Sequence, residues 1–221
     1  MDRHVIDYAD ARNMMVDGQI RPNRVYGRRL LEALRTLPRE RFVPPAMVSR
    51  AYSDEDVPLG NGRVLTEPMV LARLIELAGV MPGERALVIG AGTGYAPAVL
   101  AACGSQVTAL EEDADLLAAA RSALAGTGGV TLVQGRLRDG WPAAAPYDLI
   151  LLDGAADEFP PAWAGQIRVP GGRLVGVLST TGGIGHAGRA EPSGGSLSFV
   201  PAFDCATPVL PALRRVPGFV F

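Results

Sequence analysis

Apolar positions along the chain follow two rhythms. Over roughly the first 80 residues they recur at helical spacing: Tyr8 to Asp17 and Gly27 to Leu37 mix apolar and charged positions as a helix with one buried face requires. Pro22 and Pro38 punctuate these segments, and Phe42-Val43-Pro44-Pro45 reads as an extended turn. Tyr52 to Val64 is polar and glycine-bearing and is expected to be a loop. A helix is predicted from about Glu67 to Ala78, with Thr66 as its N-cap and Pro68 in its first turn.

Beyond Met81-Pro82-Gly83 short apolar runs alternate with helical segments. Strands are predicted at Arg85 to Ile89, Val107 to Leu110, Val130 to Gln134, Tyr147 to Leu152 and Arg173 to Leu178. Helices are predicted at about Tyr95 to Ala102 and Ala114 to Ala125, with a short one at Trp163 to Ile167. The run from Tyr147 is almost wholly apolar, as befits a strand buried on both faces. The alternation predicts an α/β core, a mostly parallel sheet with helices on both faces, over residues 81–221. Residues 1–80 then form a helical extension and a loop, the whole making one compact unit. In the tail, Thr180 to Ser196 is rich in Gly and Ser and is expected to be a mobile loop. Leu197 to Phe203 and Gly218 to Phe221 are expected to add a hairpin at the sheet edge.

Composition narrows the function classes. The net charge is −2 and no basic stripe is visible, which argues against a nucleic-acid partner. Two cysteines, Cys103 and Cys205, are too few for a disulfide scaffold and read as free thiols in a reducing compartment. Met1-Asp2-Arg3-His4 opens no apolar signal core, and the longest apolar stretch, Pro68 to Met81, is broken by Arg73 and Glu76. A cytoplasmic protein without membrane partners is expected. The two histidines, His4 and His186, lie far from both cysteines, so no metal site is expected.

The strongest chemical signal is Leu87-Val88-Ile89-Gly90-Ala91-Gly92-Thr93-Gly94-Tyr95, an apolar strand running through G-x-G-x-G into a helix. Glycines let a ligand lie against bare main chain, and a helix start offers unpaired N–H groups. Glu111, 17 residues after Gly94, ends the second core strand, where a carboxylate accepts hydrogen bonds from both hydroxyls of a ribose. Nicotinamide and flavin folds favour G-x-G-x-x-G, so the spacing here favours a methyltransferase over a dehydrogenase.

Further segments carry a resemblance. Pro58-Leu59-Gly60-Asn61-Gly62-Arg63-Val64-Leu65-Thr66-Glu67-Pro68 is similar to a loop read as G-x-G-Q-T-I-S-Q/A-P, and Pro38-Arg39-Glu40-Arg41-Phe42-Val43-Pro44 to P-R-x-x-F-V-P. Gly94-Tyr95-Ala96-Pro97-Ala98-Val99-Leu100-Ala101, Gly140-Trp141-Pro142, Ala145-Pro146-Tyr147-Asp148 and Pro170-Gly171-Gly172-Arg173-Leu174-Val175 follow in the same order. From about residue 28 to 178 the chain thus resembles the protein-L-isoaspartate O-methyltransferase family. The resemblance implies a Rossmann-like fold and S-adenosyl-L-methionine as cofactor. It further implies methyl transfer to the carboxylate of isoaspartyl residues in damaged peptides or proteins, and a monomer or weak homodimer. A carboxylate is already nucleophilic at neutral pH, so such an enzyme needs positioning and exclusion of water more than a base. Carried over position by position, the resemblance makes Thr66 the acceptor-side hydroxyl. It makes Gly90, Ala91, Gly92, Thr93, Gly94, Tyr95, Glu111, Glu112, Arg136, Leu137 and Asp153 the cofactor site.

Four of the positions depart from the family's pattern. Thr66 replaces a serine, Val88 an acid two places before the first glycine, Arg136 an aspartate that meets the adenine amino group, and Asp153 a frequent threonine. Arginine has donors only and cannot accept from that amino group. Three readings stay open: an isoaspartyl methyltransferase with a retuned pocket, a methyltransferase for another acceptor, or a relative acting as a binding or regulatory module. Arg12 to Arg24 offers arginines that could meet a peptide carboxylate, although a solvated helix end and turn is the reading preferred for them.

Overall fold

In the computed structural model the described residues are 8–179 and 183–215. Two short helices open the chain, α1 (Tyr8–Met15) and α2 (Arg28–Thr36), linked by a wider helical turn over Val16–Ile20. Next come the strands β1 (Val57–Gly60) and β2 (Arg63–Leu65), then α3 (Pro68–Ala78). The alternating part comprises β3 (Arg85–Ile89), α4 (Tyr95–Ala102), β4 (Gln106–Glu111), α5 (Ala114–Ala123), β5 (Val130–Gln134), β6 (Leu149–Ala156) and β7 (Arg173–Leu178). Two long strands, β8 (Gly185–Ser193) and β9 (Ser196–Cys205), complete the seven-stranded sheet, in the order β5-β4-β3-β6-β7-β8-β9.

The first five strands of that order are parallel, and β8 and β9 join antiparallel at the edge. Alternate side chains of the central strands feed two cores. Ala86, Val88, Leu149 and Leu151 face the helices, packing with residues such as Val70, Leu74, Val99 and Leu100. Leu87, Ile89, Ile150 and Leu152 face the other way, toward Leu137, Tyr147, Trp163 and Leu210. Because the chain leaves β3 in one direction for β4 and β5 and the other for β6 and β7, a crevice forms beyond the carboxyl ends of β3, β4 and β6.

Two segments expected as loops are strands. Residues 57–65 form a hairpin whose turn, Asn61-Gly62, has φ of 52° and 72°, both in the left-handed region. Asn-Gly is the favoured pair for such a tight hairpin turn, because both central residues need positive φ. The second case is 185–193, which forms β8 in spite of its glycines. They are there because space is short: a Cβ at Gly188 would lie 2.3 Å from the Val200 carbonyl on β9 and 2.5 Å from the Phe199 ring. The hairpin expected at the sheet edge therefore pairs 196–205 with 185–193; residues 180–182 and 218–221 lie outside the described residues.

Candidate active site at the carboxyl ends of the central strands

At the end of β3 the chain turns through Gly90, Gly92 and Gly94, with φ of 78°, 54° and 99°, before α4 begins at Tyr95. The amides of Gly90 and Ala91 both donate to the Leu110 carbonyl at 3.0 Å, so the turn is tied to β4. Of the predicted cofactor residues here, two turn their side chains to the N-terminal segment. The Thr93 hydroxyl donates to the Phe42 carbonyl at 2.6 Å, and the buried Tyr95 ring packs edge-on against Phe42 at 5.3 Å. Tyr95 also lies under the guanidinium of Arg39, 4.8 Å from ring centre. What this stretch offers a ligand is main chain.

Glu111 ends β4 beside that turn and is fully buried. Its carboxylate accepts from the amides of Gly92 at 2.7 Å, Glu112 at 2.9 Å and Asp113 at 3.1 Å. It also takes a two-pronged bond from Arg63 on β2, at 2.7 and 3.0 Å. Arg63 donates again to the Gly90 carbonyl at 2.9 Å. Glu112 accepts from the Leu137 amide at 3.0 Å, and Asp113 caps α5 by accepting from the amides of Asp115 and Leu116. Leu137 is buried and forms an apolar wall, whereas Arg136 is exposed. Val88, at the position of the missing acid, is wholly buried in the core on the helix side of the sheet.

Thr66, expected as the acceptor-side hydroxyl, and Asp153, expected in the cofactor site, are brought together by the fold. Thr66 is not the cap of α3: that position belongs to Glu67, which makes no side-chain capping bond. The buried Thr66 hydroxyl instead donates to Asp153 Oδ1 at 2.8 Å. Its own carbonyl accepts from Arg39 at 2.7 Å, and Arg39 reaches the Ala51 carbonyl at 2.7 Å as well. Arg39 is thus a buried clamp on the loop before α3. Burial pushes the Asp153 carboxyl up to about 6; the Thr66 hydroxyl and the charges of Arg63 and Arg39 only partly offset it. The Arg12 to Arg24 segment does not face this site with its first arginine: Arg12 is spent inside the fold on the Arg35 carbonyl, Glu40 and Tyr52.

Three residues that shape the site were given no role from sequence: Arg39 and Arg63, although both lie within segments that carry the resemblance, and Leu210. Leu210 belongs to a strap over residues 206–214 held along β6, where Leu210 N donates to Ala155 O at 2.9 Å and Ala155 N to Pro208 O at 3.2 Å. Its side chain lies over Gly90 and Gly154, 2.7 and 2.6 Å from where a Cβ at either would sit, and with φ of 78° and 137° a side chain at either would strain the backbone as well as displace Leu210. The Asn61-Gly62 turn is a local clue to Arg63, since it places the next residue at the start of β2.

The donor set suits a nucleoside: main-chain N–H groups on a glycine turn, a carboxylate beside them and an apolar wall at Leu137. The space does not suit it in this conformation. Arg63 holds both oxygens of Glu111, Leu210 covers Gly90, and the hollow left between Asn61, Arg63, Glu112, Leu137 and Leu210 measures about 260 Å³. Sites for ligands of this size usually exceed about 300 Å³.

Comparison with known proteins agrees with the fold and the motif order. A family profile described as protein-L-isoaspartate(D-aspartate) O-methyltransferase matches residues 11–182. A protein-L-isoaspartate O-methyltransferase of Methylorubrum extorquens (strain PA1) is 41% identical over 206 residues, covering 89% of this chain and 90% of that protein. A second, from Marinobacter nauticus, is 40% identical over 187 residues, covering 83% and 84%. Among solved structures, a protein-L-isoaspartate O-methyltransferase superposes with a TM-score of 0.78 at 22% identity, covering 93% of this chain and 66% of that one. A Plasmodium falciparum protein described as a beta-aspartate methyltransferase, solved with S-adenosyl-L-homocysteine, superposes at 0.73 with 17% identity, covering 93% and 98%. The family match over most of the chain's length and a relative 41% identical across most of both chains together establish that this chain belongs to the protein-L-isoaspartate(D-aspartate) O-methyltransferase family.

Proposed function

We propose that this chain transfers a methyl group from S-adenosyl-L-methionine to the side-chain carboxylate of L-isoaspartyl residues, and so serves protein repair in the cytoplasm. The observation that carries the reading is the buried Glu111 carboxylate at the end of β4, facing the bare main chain of Gly90, Gly92 and Gly94. Family membership supports it. No helix of the described residues is long and apolar enough to cross a membrane.

Bound S-adenosyl-L-methionine would supply a sulfonium methyl group for an acceptor carboxylate, the O–CH3 bond forming as the S–CH3 bond breaks and the neutral thioether S-adenosyl-L-homocysteine leaves, with no prior deprotonation of the acceptor. The chain's own part is to bind, orient and keep water out. Glu111 would hold the two ribose hydroxyls, Leu137 would pack on the base, and main chain from Gly90 to Gly94 would pass the amino-acid portion. Thr66 would meet the acceptor carboxylate by its hydroxyl. That hydroxyl must then leave Asp153, which is easier once Asp153 is protonated, below about pH 6. Calorimetry with S-adenosyl-L-methionine, followed by incubation with an isoaspartyl peptide and labelled donor, tests the reading. Measurable heat and a base-labile methyl ester on the peptide are expected; heat without ester would assign a different acceptor.

A further inference from the structure

We propose that Arg63 and the Leu210 strap form a built-in block on the cofactor cradle, which the donor must displace to bind. The inference rests on the donor reading above. Glu111 accepts five hydrogen bonds, three of them from main-chain amides that any ligand leaves untouched. The other two come from the Arg63 fork and fall on both carboxylate oxygens, the places a ribose diol needs. The two occupants therefore exclude each other. Arg63 also brings a full positive charge to the Gly90 carbonyl, next to where a cationic sulfonium donor must lie. Leu210 closes the space from the opposite side, filling the volume that Gly90 and Gly154 leave open.

The block is built to move. Arg63 is the first residue of β2, directly after the Asn61-Gly62 turn, in a hairpin only three and four residues to a strand. Its Nε is buried without a hydrogen-bond partner, so the closed state holds Arg63 imperfectly. Once Arg63 withdraws, Glu111 keeps its three amide donors and needs no other partner. The strap lies outside the sheet proper, tied by two main-chain bonds at Ala155 and a third, longer one from Asp157 N to Leu213 O at 3.4 Å, and to Arg138 by the Ala212 and Arg214 carbonyls at 2.9 Å each. Closed molecules are then in equilibrium with open ones, and only the open fraction binds. The observed affinity falls by that fraction.

The test measures binding of S-adenosyl-L-methionine and S-adenosyl-L-homocysteine to the full chain by calorimetry, for the wild type, Arg63→Gln and Leu210→Ala, with thermal melting to confirm folding. Glutamine can still donate one amide bond to Glu111 but carries neither charge nor fork. Both variants should bind about tenfold or more tighter than the wild type, as the closed fraction is removed. Leu210→Ala leaves the ion pair intact and carries the same test alone if Arg63→Gln fails to fold. A wild type that binds, with folded variants that bind no tighter, overturns the block while leaving the donor reading in place. Folded proteins of which none binds at millimolar ligand would overturn both.

Discussion

Two buried carboxylates stand at neighbouring strand ends, and the fold treats them oppositely. Glu111 is surrounded by donors: three main-chain amides and a bidentate arginine all point at its two oxygens. Asp153, equally inside, has the Thr66 hydroxyl as its hydrogen-bond partner among the described residues. The arginines whose charges reach it, Arg63 and Arg39, aim their donors at Glu111 and at main-chain carbonyls. Burial therefore dominates at Asp153 and lifts it to about 6, near enough to neutrality to change state under ordinary conditions. Burial is common to the two acids; what separates them is where the nearby donors point.

The largest effect should come from breaking the satisfied pair on its acidic side. Glu111→Ala leaves Arg63, whose side chain is 6% exposed, without its counter-charge, at a loss of about 3–5 kcal/mol by urea unfolding. Arg63→Ala should lose clearly less, because Glu111 retains its amides. Equal losses would mean that those amides do not compensate the charge.

A smaller effect of opposite sign is expected at the other acid. The folded carboxyl of Asp153 ionises near 6 and the unfolded one near 3.8, so its ionisation disfavours the native state above pH 6. Asp153→Asn, which can still accept from Thr66, should stabilise the protein by about 2–3 kcal/mol at pH 7. The gain should shrink as pH falls through 6 and vanish below about 4, where the carboxyl is protonated in both states. It should also lower KM for an isoaspartyl peptide at pH 7 by removing a like charge. A gain that did not change with pH would remove titration as its cause.

The smallest change tests the link between the two acids' surroundings. Thr66→Val deletes the donor that holds Asp153 down, so the carboxyl should titrate higher by NMR, with a stability loss of about 1 kcal/mol at pH 7. Thr66→Ser should restore both. An unmoved titration would show that the hydroxyl does not tune Asp153.

The five parallel strands, their intervening helices and the glycine turn were all legible before the structure, because each is marked by local apolar runs and by residues that only a turn accommodates. Glu111 was legible too, by its position at a strand end. The hairpin at 57–65 was readable in principle from Asn61-Gly62, but its polar composition masked it. The strand at 185–193 was not readable, because its glycines answer to the approach of β9, a neighbour distant in space and absent from the local pattern. The role of Thr66 as a cap failed for the same reason: the partner that claims its hydroxyl lies 87 positions away.

What the amino-acid order determined by itself was the periodicity of burial and the places where the backbone must be bare. Those suffice for the five parallel strands and the glycine cradle, while the family is what the resemblance of the ordered motifs implies. Only the tertiary structure decided what stands in that cradle. Arg63 and Leu210 had no role assigned from sequence, Asp153 was expected in the cofactor site, and what each of them does arises from contacts between segments 48, 120 and 87 positions apart: Arg63 to Glu111, Leu210 to Gly90 and Asp153 to Thr66. Long-range contacts of this kind depend on how the layers close on one another, and no local pattern encodes them.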